Sequence, residues 1–368
     1  MAATISVEAL RERLDKGEKL TVLDVRDAED YEEWRIPGAL HCDAYEALSA
    51  GDPGPVATAE VPRDRPVVAV CYAGVTSRIA AEALRQRGLD AVSLEGGMNA
   101  WSVAWNTAEV SLPGAQARIL QVRRTGKGCL SYVVASEGEA AVVDPSVDAG
   151  VYLELAKRNG WRITRVVETH VHADHLSRAR ALAASTGATL HLPRTDRVAF
   201  WHEGVDEGTR IRVGRSELLA LRTPGHTPES TCYQLEGRAL LTGDTLFLDA
   251  VGRPDLEADP QQARARAVAL HASLQRLLRL PPETLVLPAH AGTPIAFDKR
   301  PVVAELRQVR GRTPTLALAR DEFVARLMRR LPPAPPNHHV IVKANEAGDA
   351  TGLDAARLEA GANRCAAR

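Results

Sequence analysis

Residues 169–175 read THVHADH, from Thr169 to His175. A largely apolar stretch, Ile163 to Val167, precedes them and has the length of a buried strand. Two histidines at alternating positions past a strand end, followed by an aspartate and a third histidine, place several donors in one small space. A metal ion requires such donors, because neutral imidazole and ionised carboxylate bind it at about 2.0–2.2 Å. The stretch therefore predicts a metal site at the edge of a sheet.

Three later segments carry donors of the same kind. His226 lies in the turn LRTPGHTP, Asp244 follows the apolar run ALLTG, and His290 ends the run VLPAH. A single histidine after a strand is more often a hydrogen-bonded surface or core residue. The THVHADH stretch and the three later segments together instead favour a metal centre whose donors come from all four segments.

Size and charge limit the function classes. The chain has 368 residues, enough for two domains, with 45% hydrophobic and 25% charged residues and a net charge of -1. This balance provides no field for nucleic acid or an anionic membrane. No apolar run approaches the roughly 18 residues of a membrane span, and the N-terminus lacks the pattern of a signal peptide. We expect a cytoplasmic protein with no nucleic-acid or membrane partner.

The first hundred residues alternate strands and helices. Apolar runs typical of strands occur at Leu20–Val25, Pro66–Val70 and Ala91–Leu94, and a helical pattern at Ser77–Arg87 lies between the last two. This order of strand, helix and strand predicts a parallel α/β sheet. Three runs between residues 119 and 143 are separated by Gly-containing turns and predict antiparallel strands. The predicted division is a first domain at 1–108, a linker at 109–116, a second domain at 117–348 and a tail at 349–368.

The cysteines are five, odd in number and widely spaced, which is typical of a reducing cytoplasm. Cys42, Cys129 and Cys232 have the surroundings of small core residues, and Cys365 in the tail receives no role. Cys71 differs because it lies between a strand and a helix. Backbone N–H groups and a helix N-terminus stabilise a thiolate or a bound anion at such a position. The predicted loop around it consists of Tyr72, Ala73, Gly74, Val75, Thr76, Ser77 and Arg78.

This context resembles the rhodanese family. The strand LDVR at Leu23–Arg26, the segment RIPGA at Arg35–Ala39 and the motif LEGGMNAW at Leu94–Trp101 occur in the family's order. The resemblance implies that Cys71 is a nucleophile that carries sulfane sulfur as a persulfide. Many active members have Arg five residues after the cysteine, where this chain has Thr76. Thiosulfate or another sulfane-sulfur donor is the implied partner, and a domain that only docks partners is the alternative.

The second half resembles the metallo-β-lactamase superfold, an αββα sandwich with metals at one edge. Two of its subfamilies fit: the persulfide dioxygenases, with one iron, and glyoxalase II, a thioesterase with two metals. Gly252-Arg253-Pro254-Asp255 resembles the G-R-T-D segment of the dioxygenases, with Pro254 in place of Thr. The tail from Leu331 to Gly348 also resembles theirs, and the first domain handles sulfur.

The dioxygenase resemblance implies one Fe(II) per chain, held by His170, His226 and Asp244. It implies that His172, Asp174, His175 and His290 surround the ligands or form a second metal site, with zinc as an alternative metal. Asp144 is expected to support the metal-edge loops, and Arg253 and Asp255 to form a substrate loop. The substrates would be a small-molecule thiol persulfide and O₂, with sulfite and thiol as products.

Two other functions remain open at this point: a glyoxalase II-like zinc thioesterase and a non-catalytic sulfur-relay module. The identity of the thiol, whether glutathione, coenzyme A or another, and the formation of a homo-oligomer are not specified by any motif.

Overall fold

The strands of the first hundred residues form one five-stranded sheet in which every neighbouring pair is parallel. The computed structural model describes residues 3–367. The elements of this unit are β1 (Thr4–Ile5), α1 (Val7–Asp15), β2 (Thr21–Asp24), α2 (Ala28–Glu33), β3 (Leu40–His41), α3 (Tyr45–Ser49), α4 (Gly54–Thr58), β4 (Val67–Val70), α5 (Thr76–Gln86), β5 (Ala91–Leu94) and α6 (Gly97–Trp101). The strand order is β1-β5-β4-β2-β3. Strand β4 is buried along its whole length, as expected for a parallel sheet covered on both faces.

The rest of the chain forms two further sheets with helices around them. Its elements are β6 (Asn106–Val110), β7 (Arg118–Arg123), β8 (Leu130–Ser136), β9 (Glu139–Val143), α7 (Ala149–Asn159), β10 (Arg162–Val167), α8 (Ala179–Thr186), β11 (Thr189–Pro193), β12 (Glu203–Val205), β13 (Arg210–Val213), β14 (Ser216–Arg222), β15 (Thr231–Leu235), β16 (Ala239–Gly243), β17 (Val251–Gly252), α9 (Pro260–Leu277), β18 (Leu285–Pro288), β19 (Ala304–Glu305), α10 (Leu306–Arg312), a 3₁₀ helix (Pro314–Ala317), α11 (Arg320–Arg329), α12 (His338–Ala347), α13 (Ala355–Leu358) and β20 (Ala366–Ala367).

The two larger sheets face each other and bury their inner faces. One has seven strands in the order β12-β11-β10-β9-β8-β7-β6, and the other has six in the order β13-β14-β15-β16-β18-β19. Tyr132 and Val134 of the first sheet and Tyr233 and Leu241 of the second belong to the shared core. Burial of the Val134 and Leu241 side chains contributes about 1.5–3 kcal/mol each. Helices α7 and α8 cover the outside of the seven-stranded sheet, and α9 and α11 cover the other. The predicted αββα sandwich is confirmed.

The sandwich brings distant donor segments to one edge. Strand β10 runs parallel to β9, and β18 runs parallel to β16, so these pairs end together. The donors follow those ends: His170 comes after β10, Asp244 after β16 and His290 after β18. The sheet register therefore collects residues that are more than a hundred positions apart.

The unit boundary lies earlier than the sequence predicts. Strand β6, Asn106–Val110, pairs antiparallel with β7 and is the edge strand of the seven-stranded sheet. It crosses the predicted end of the first domain at residue 108. Buried and more exposed residues alternate along β6, as in other strands with one covered face. The strand has only five residues and lies close to Pro113, so its sequence pattern is too short to predict a strand.

The tail after residue 349 is docked against the sandwich. Strand β20 pairs antiparallel with β17, next to the metal-binding edge. Glu359 is fully buried, accepts a hydrogen bond from the Leu176 backbone N–H at 2.9 Å and pairs with Arg124, which is also fully buried, and with Arg178. Within residues 3–367, no helix combines the length and apolarity needed to cross a bilayer.

The buried pair of Arg124 and Glu359 generates a stability prediction. Glu359→Gln leaves the Arg124 guanidinium without its counter-charge, and breaking such a pair costs about 3–5 kcal/mol. We expect the urea midpoint of the second unit to fall clearly. Glu322→Gln, on the exposed face of α11, is the matched control and should stay within about 0.5 kcal/mol of the parent. Equal midpoints for the two variants would contradict a stabilising role for the buried pair of Arg124 and Glu359.

Candidate metal centre and sulfur-carrying loop

Three predicted iron ligands form one buried group at the sandwich edge. His170, His226 and Asp244 are each at most 2% exposed, and one donor atom from each lies within 4.8 Å of the others. Oδ2 of Asp244 is 3.8 Å from Nε2 of His170 and 3.6 Å from Nε2 of His226. These separations are close to those of donors around a common ion, so little movement is needed to bind one.

Hydrogen bonds fix which nitrogen of each histidine is free. The Thr169 hydroxyl donates to Asp144 at 2.8 Å, so it can only accept from Nδ1–H of His170, 2.9 Å away. In the same way, Nδ1–H of His226 donates to the Arg253 carbonyl at 2.7 Å. Both rings thus present an unprotonated Nε2, the arrangement common to metal-binding histidines.

Two atoms of this group are buried without a hydrogen-bond partner. They are Nε2 of His170 and Oδ2 of Asp244. A buried polar atom left unpaired costs about 1–3 kcal/mol, and a metal ion bound between the two satisfies both. The residues therefore fit a metal with two imidazoles and one carboxylate.

The local electrostatics favour the ligand forms. Burial lowers the pKa of His170, helped by nearby His172 and His226, and burial also lowers the pKa of His226. Burial acts against ionisation of Asp244, but the neighbouring His290 outweighs it and holds the pKa below the usual value. Two neutral imidazoles and one anionic carboxylate are the result.

His172 is not part of this group of three, although its ring centroid lies 4.2 Å from that of His170 and its Nδ1 is buried without a hydrogen-bond partner. Its Nε2 lies 3.0 Å from Glu168 and 3.2 Å from Asp144. Although burial opposes protonation, these two carboxylates raise the pKa of His172 well above the usual value. Asp144 also accepts the Thr169 N–H at 2.7 Å, which matches its expected role under the metal-edge loops. The sequence analysis did not predict a role for Glu168. Its position directly before the THVHADH stretch was a signal that could have indicated a contact with these histidines.

The remaining predicted donors form a second group. Asp174 accepts from Nδ1 of His175 at 3.1 Å through one oxygen, and its other oxygen is 2.9 Å from Nε2 of His290. Cys129, interpreted from the sequence as a small core residue, lies in this group with its Sγ 3.3 Å from Asp174. The sequence interpretation missed this position because Cys129 has apolar neighbours in the sequence. Such neighbours surround a thiol in the core and a thiol at the edge of a sheet alike.

The predicted substrate loop is packed under the tail. The Arg253 side chain is 1% exposed and pairs with Asp255 at 2.8 Å. It also donates to the carbonyls of Pro332, Pro333 and Arg364. Arg253 thus joins two parts of the tail to the loop whose carbonyl orients His226.

Gly252 is the residue that lets this loop approach the metal group. A Cβ on it would lie 2.0 Å from the Asp244 carbonyl oxygen and 2.9 Å from Cβ of His226. Any other residue here would displace a ligand.

A cavity of about 620 Å³ lies beside the histidine stretch. His170, His172 and Glu168 line it, and apolar side chains supply most of the remaining wall. Ser177, Arg180 and Asn345 add polar groups. A volume of this size with a few polar groups is typical of small-molecule sites.

The Cys71 loop connects β4 to the N-terminus of α5, as predicted. The thiol is buried, and its Sγ lies 3.2 Å from the Ser77 hydroxyl, which in turn contacts Ser93 at 2.8 Å. Gly74 has φ +77°, and a Cβ there would meet the Gly96 nitrogen at 2.8 Å. Only glycine permits this curl.

Hydrogen bonds lower the pKa of the Cys71 thiol. Burial raises its pKa, but the Ser77 and Thr76 hydroxyls and the backbone of Ser77 and Ala73 more than compensate, and the pKa lies below the usual thiol value. In the rest of the predicted loop, Thr76 is buried, whereas Val75 and Arg78 are exposed.

Comparison with known proteins agrees with this division. The metallo-beta-lactamase superfamily matches residues 124–290, and the rhodanese-like domain matches residues 6–104. A hydroxyacylglutathione hydrolase of a Polaromonas species is 39% identical over 44% of this chain, which covers 61% of that relative. One from Nitrosococcus oceani is 34% identical over 52% of this chain and 78% of that relative.

Two solved structures are similar to the second unit. A metallo-beta-lactamase from Staphylococcus aureus has 25% identity and a TM-score of 0.58, over 63% of this chain and 73% of that one. ETHE1 from Myxococcus xanthus has 29% identity and a TM-score of 0.56, over 62% of this chain and 97% of that one. The chain belongs to the metallo-beta-lactamase superfamily and carries a rhodanese-like domain before the metal-binding unit.

The Cys71 environment predicts a pH dependence. A pKa below the usual thiol value means that thiolate forms, and iodoacetamide reacts, at a lower pH than with a free cysteine. Ser77→Ala removes one stabilising donor, so the pH midpoint of alkylation should rise by about one pH unit. Ser49→Ala, exposed on α3, is the control and should leave the midpoint unchanged. A lower midpoint in Ser77→Ala would contradict the assignment.

Proposed function

We propose that this chain oxidises a low-molecular-weight thiol persulfide with O₂ at one iron, and that its first unit transfers sulfane sulfur through Cys71. The observation that carries the proposal is the buried group of three donors, His170, His226 and Asp244, while Nε2 of His172 is engaged by Glu168 and Asp144. Two histidines and one carboxylate on one side of an ion leave its other positions open, which is the ligand set of non-haem Fe(II) oxygenases.

The proposed reaction converts R–S–SH, O₂ and H₂O into R–SH and H₂SO₃, which ionises to sulfite. The outer sulfur loses four electrons, O₂ accepts them, and the S–S bond breaks with the inner sulfur leaving as thiol. Fe(II), when bound, supplies neighbouring positions for the persulfide sulfur and for O₂.

The protein groups prepare this site before substrate arrives. The Thr169 hydroxyl orients the ring of His170, and the Arg253 carbonyl orients the ring of His226. Nδ1 of His290, 2.6 Å from Asp244, orients that carboxylate. Such outer partners hold ligands in one orientation. The cavity beside His170 offers the substrate a partly open and largely apolar pocket.

The first unit prepares the sulfur. The Cys71 thiolate attacks a sulfane-sulfur donor, takes its outer sulfur as Cys–S–S⁻ and releases the donor's remaining anion. A low-molecular-weight thiolate then attacks the outer sulfur, which regenerates Cys71 and forms R–S–S⁻ for the second unit. Joining the two sites in one chain raises the effective concentration of this product at the metal centre.

The comparisons support both the proposal and one alternative. The likeness to the ETHE1 structure over 97% of its length supports the oxygenase at the level of the fold. The relatives named hydroxyacylglutathione hydrolase favour a second candidate, hydrolysis of a thioester such as an S-acylglutathione. The second donor group around Asp174 also favours it, because glyoxalase II-type thioesterases use two metals. A sulfur relay without turnover is the third candidate.

An oxygen electrode separates the candidates. Iron-loaded protein given glutathione persulfide should consume O₂ and form sulfite in a one-to-one ratio. Asp244→Asn removes the anionic ligand and should lower both iron content and O₂ uptake by more than the roughly 10–100-fold that loss of an outer partner costs. Asp321→Asn, exposed on α11, is the matched control and should behave like the parent.

The contrary results are distinct. Retained iron without O₂ uptake, together with thiol release from S-acylglutathione, would establish the thioesterase. Retained iron with no turnover of either substrate would establish the relay.

The coupling of the two units makes a separate prediction. Cys71→Ser should abolish sulfite formation from thiosulfate plus glutathione, because sulfur no longer reaches the thiol. The same variant should oxidise added glutathione persulfide at the parent rate. Cys42→Ser, in the same unit, is the control and should support both reactions. Unchanged sulfite output from thiosulfate in Cys71→Ser would rule out the proposed transfer.

A further inference from the structure

A narrow cleft lies between the first unit and the sandwich, and none of the metal-centre donors described above lines it. Glu33, Trp34 and Arg35 of the first unit form one side, and Thr125 and Lys127, from the turn between β7 and β8, form another. We propose that this cleft binds a small oxyanion, of the size of sulfite, sulfate or phosphate, through Lys127 and Thr125. Sulfite is a product of the proposed oxygenase reaction, but the inference does not require that reaction.

The observation that carries the inference is the burial of Lys127. This residue lines the cleft and is only 6% exposed. Within residues 3–367, its ammonium group forms neither an ion pair nor a hydrogen bond. Lysine is almost never buried unless it is paired, because taking an isolated charge out of water is very costly. An anion in the cleft supplies the missing counter-charge.

The hydroxyl of Thr125 is a second unsatisfied group in the same cleft. Thr125 is 4% exposed, and its Oγ1 is buried without a hydrogen-bond partner. Buried polar groups without a partner are rare in native proteins, because each one destabilises the folded state. A hydroxyl and an ammonium group can both donate to the oxygens of one anion. A single oxyanion therefore satisfies Thr125 and Lys127 together.

Contacts with both units fix the turn that carries these two residues. The Gly128 N–H donates to the Arg124 carbonyl at 2.7 Å, which closes the turn. From the first unit, Nε1 of Trp34 donates to the Gly126 carbonyl at 2.8 Å. A Cβ on Gly126 would lie 1.8 Å from the Trp101 carbonyl oxygen, so only glycine permits this close approach. Because the turn is already held in place, little backbone ordering opposes ligand binding.

The charges of the lining residues favour an anion. Lys127 and Arg35 are cations, whereas Glu33 is the acidic residue of the lining. Glu33 accepts a hydrogen bond from Nε of Arg364 at 2.8 Å, so its charge is already offset by a residue of the tail. The cleft is left with a net positive charge, which attracts anions.

The size of the cleft limits the ligand to a few atoms. The cleft has a volume of about 50 Å³. A single water molecule needs roughly 10–15 Å³, so about three to five non-hydrogen atoms fit, the number in a small oxyanion. Sites for larger organic ligands measure roughly 300–1,000 Å³, which excludes a thiol persulfide of that size. Gly292, Thr293 and Pro294 are exposed residues of the lining, so an ion can enter from solvent without separating the two units.

Calorimetry with sodium sulfate tests the site, because sulfate takes part in neither proposed reaction. Full-length protein should bind one equivalent of sulfate when ionic strength is held constant with chloride. Lys127→Met removes the charge and should weaken binding by roughly 10–150-fold, as for loss of a hydrogen bond between charged groups. Thr125→Val removes only a neutral donor and should weaken it by about 2–10-fold. Lys157→Met, exposed on α7, is the matched control and should bind sulfate like the parent.

The urea midpoint gives a second measurement, which also shows whether each variant folds. Lys127→Met should unfold at a higher urea concentration than the parent in chloride, because an unpaired buried charge is gone. Sulfate stabilises folded proteins in general, so its effect on the parent is compared with its effect on this variant. The increase should be larger in the parent, since a ligand that binds only the folded state stabilises it further.

Competition with sulfate identifies the anion. Sulfite, thiosulfate and phosphate are added in turn, and the strongest competitor assigns the site to a sulfur or a phosphorus oxyanion. Equal sulfate affinity in Lys127→Met and the parent would overturn the proposal, and so would a parent that binds no oxyanion more tightly than chloride. Failure of the oxygenase reaction would leave all these measurements unchanged, because none of them depends on turnover.

Discussion

The burial of many ionisable side chains at one edge of an apolar sandwich is the constraint on which this structure depends. Nine such groups, all at most 3% exposed, meet there: Asp144, Glu168, His170, His172, Asp174, His175, His226, Asp244 and His290. Burying a charge without a partner costs far more than any single apolar contact returns. Each group must therefore find an opposite charge, a hydrogen bond or a metal, and the surrounding loops are arranged to supply them.

Neighbouring histidines meet this constraint in opposite ways. His172 lies between two carboxylates and carries a proton, whereas His170, two residues earlier, has a low pKa and a free nitrogen. The two rings lie next to each other, with centroids 4.2 Å apart, so the difference follows from their partners. His172 faces Glu168 and Asp144, whereas Nε2 of His170 has no hydrogen-bond partner. The cation at His172 offsets part of the negative charge of Glu168 and Asp144, and Asp244 is the carboxylate of the three-donor group.

Much of this arrangement could be predicted from the sequence, because its signals are local. The strand and helix runs of both units, the THVHADH stretch and the Cys71 loop each occupy a few adjacent residues, and the structure forms them as expected. The places of Cys129 and Arg253 could not be predicted in the same way. Cys129 joins the metal edge through pairing with His290, and Arg253 is enclosed by a tail far along the chain. Such contacts depend on tertiary packing, which no local pattern encodes.

The long reach of the tail has a consequence for the order of events in folding. Asn363 contacts Asp174 across 189 positions, and Arg364 pairs with Glu33 of the first unit across 331 positions. Contacts of such sequence separation form slowly, after the local elements are in place. We therefore expect the tail to join the metal-binding edge late in folding. Through the contact of Asn363 with Asp174, it then covers donors brought together by strands far earlier in the chain.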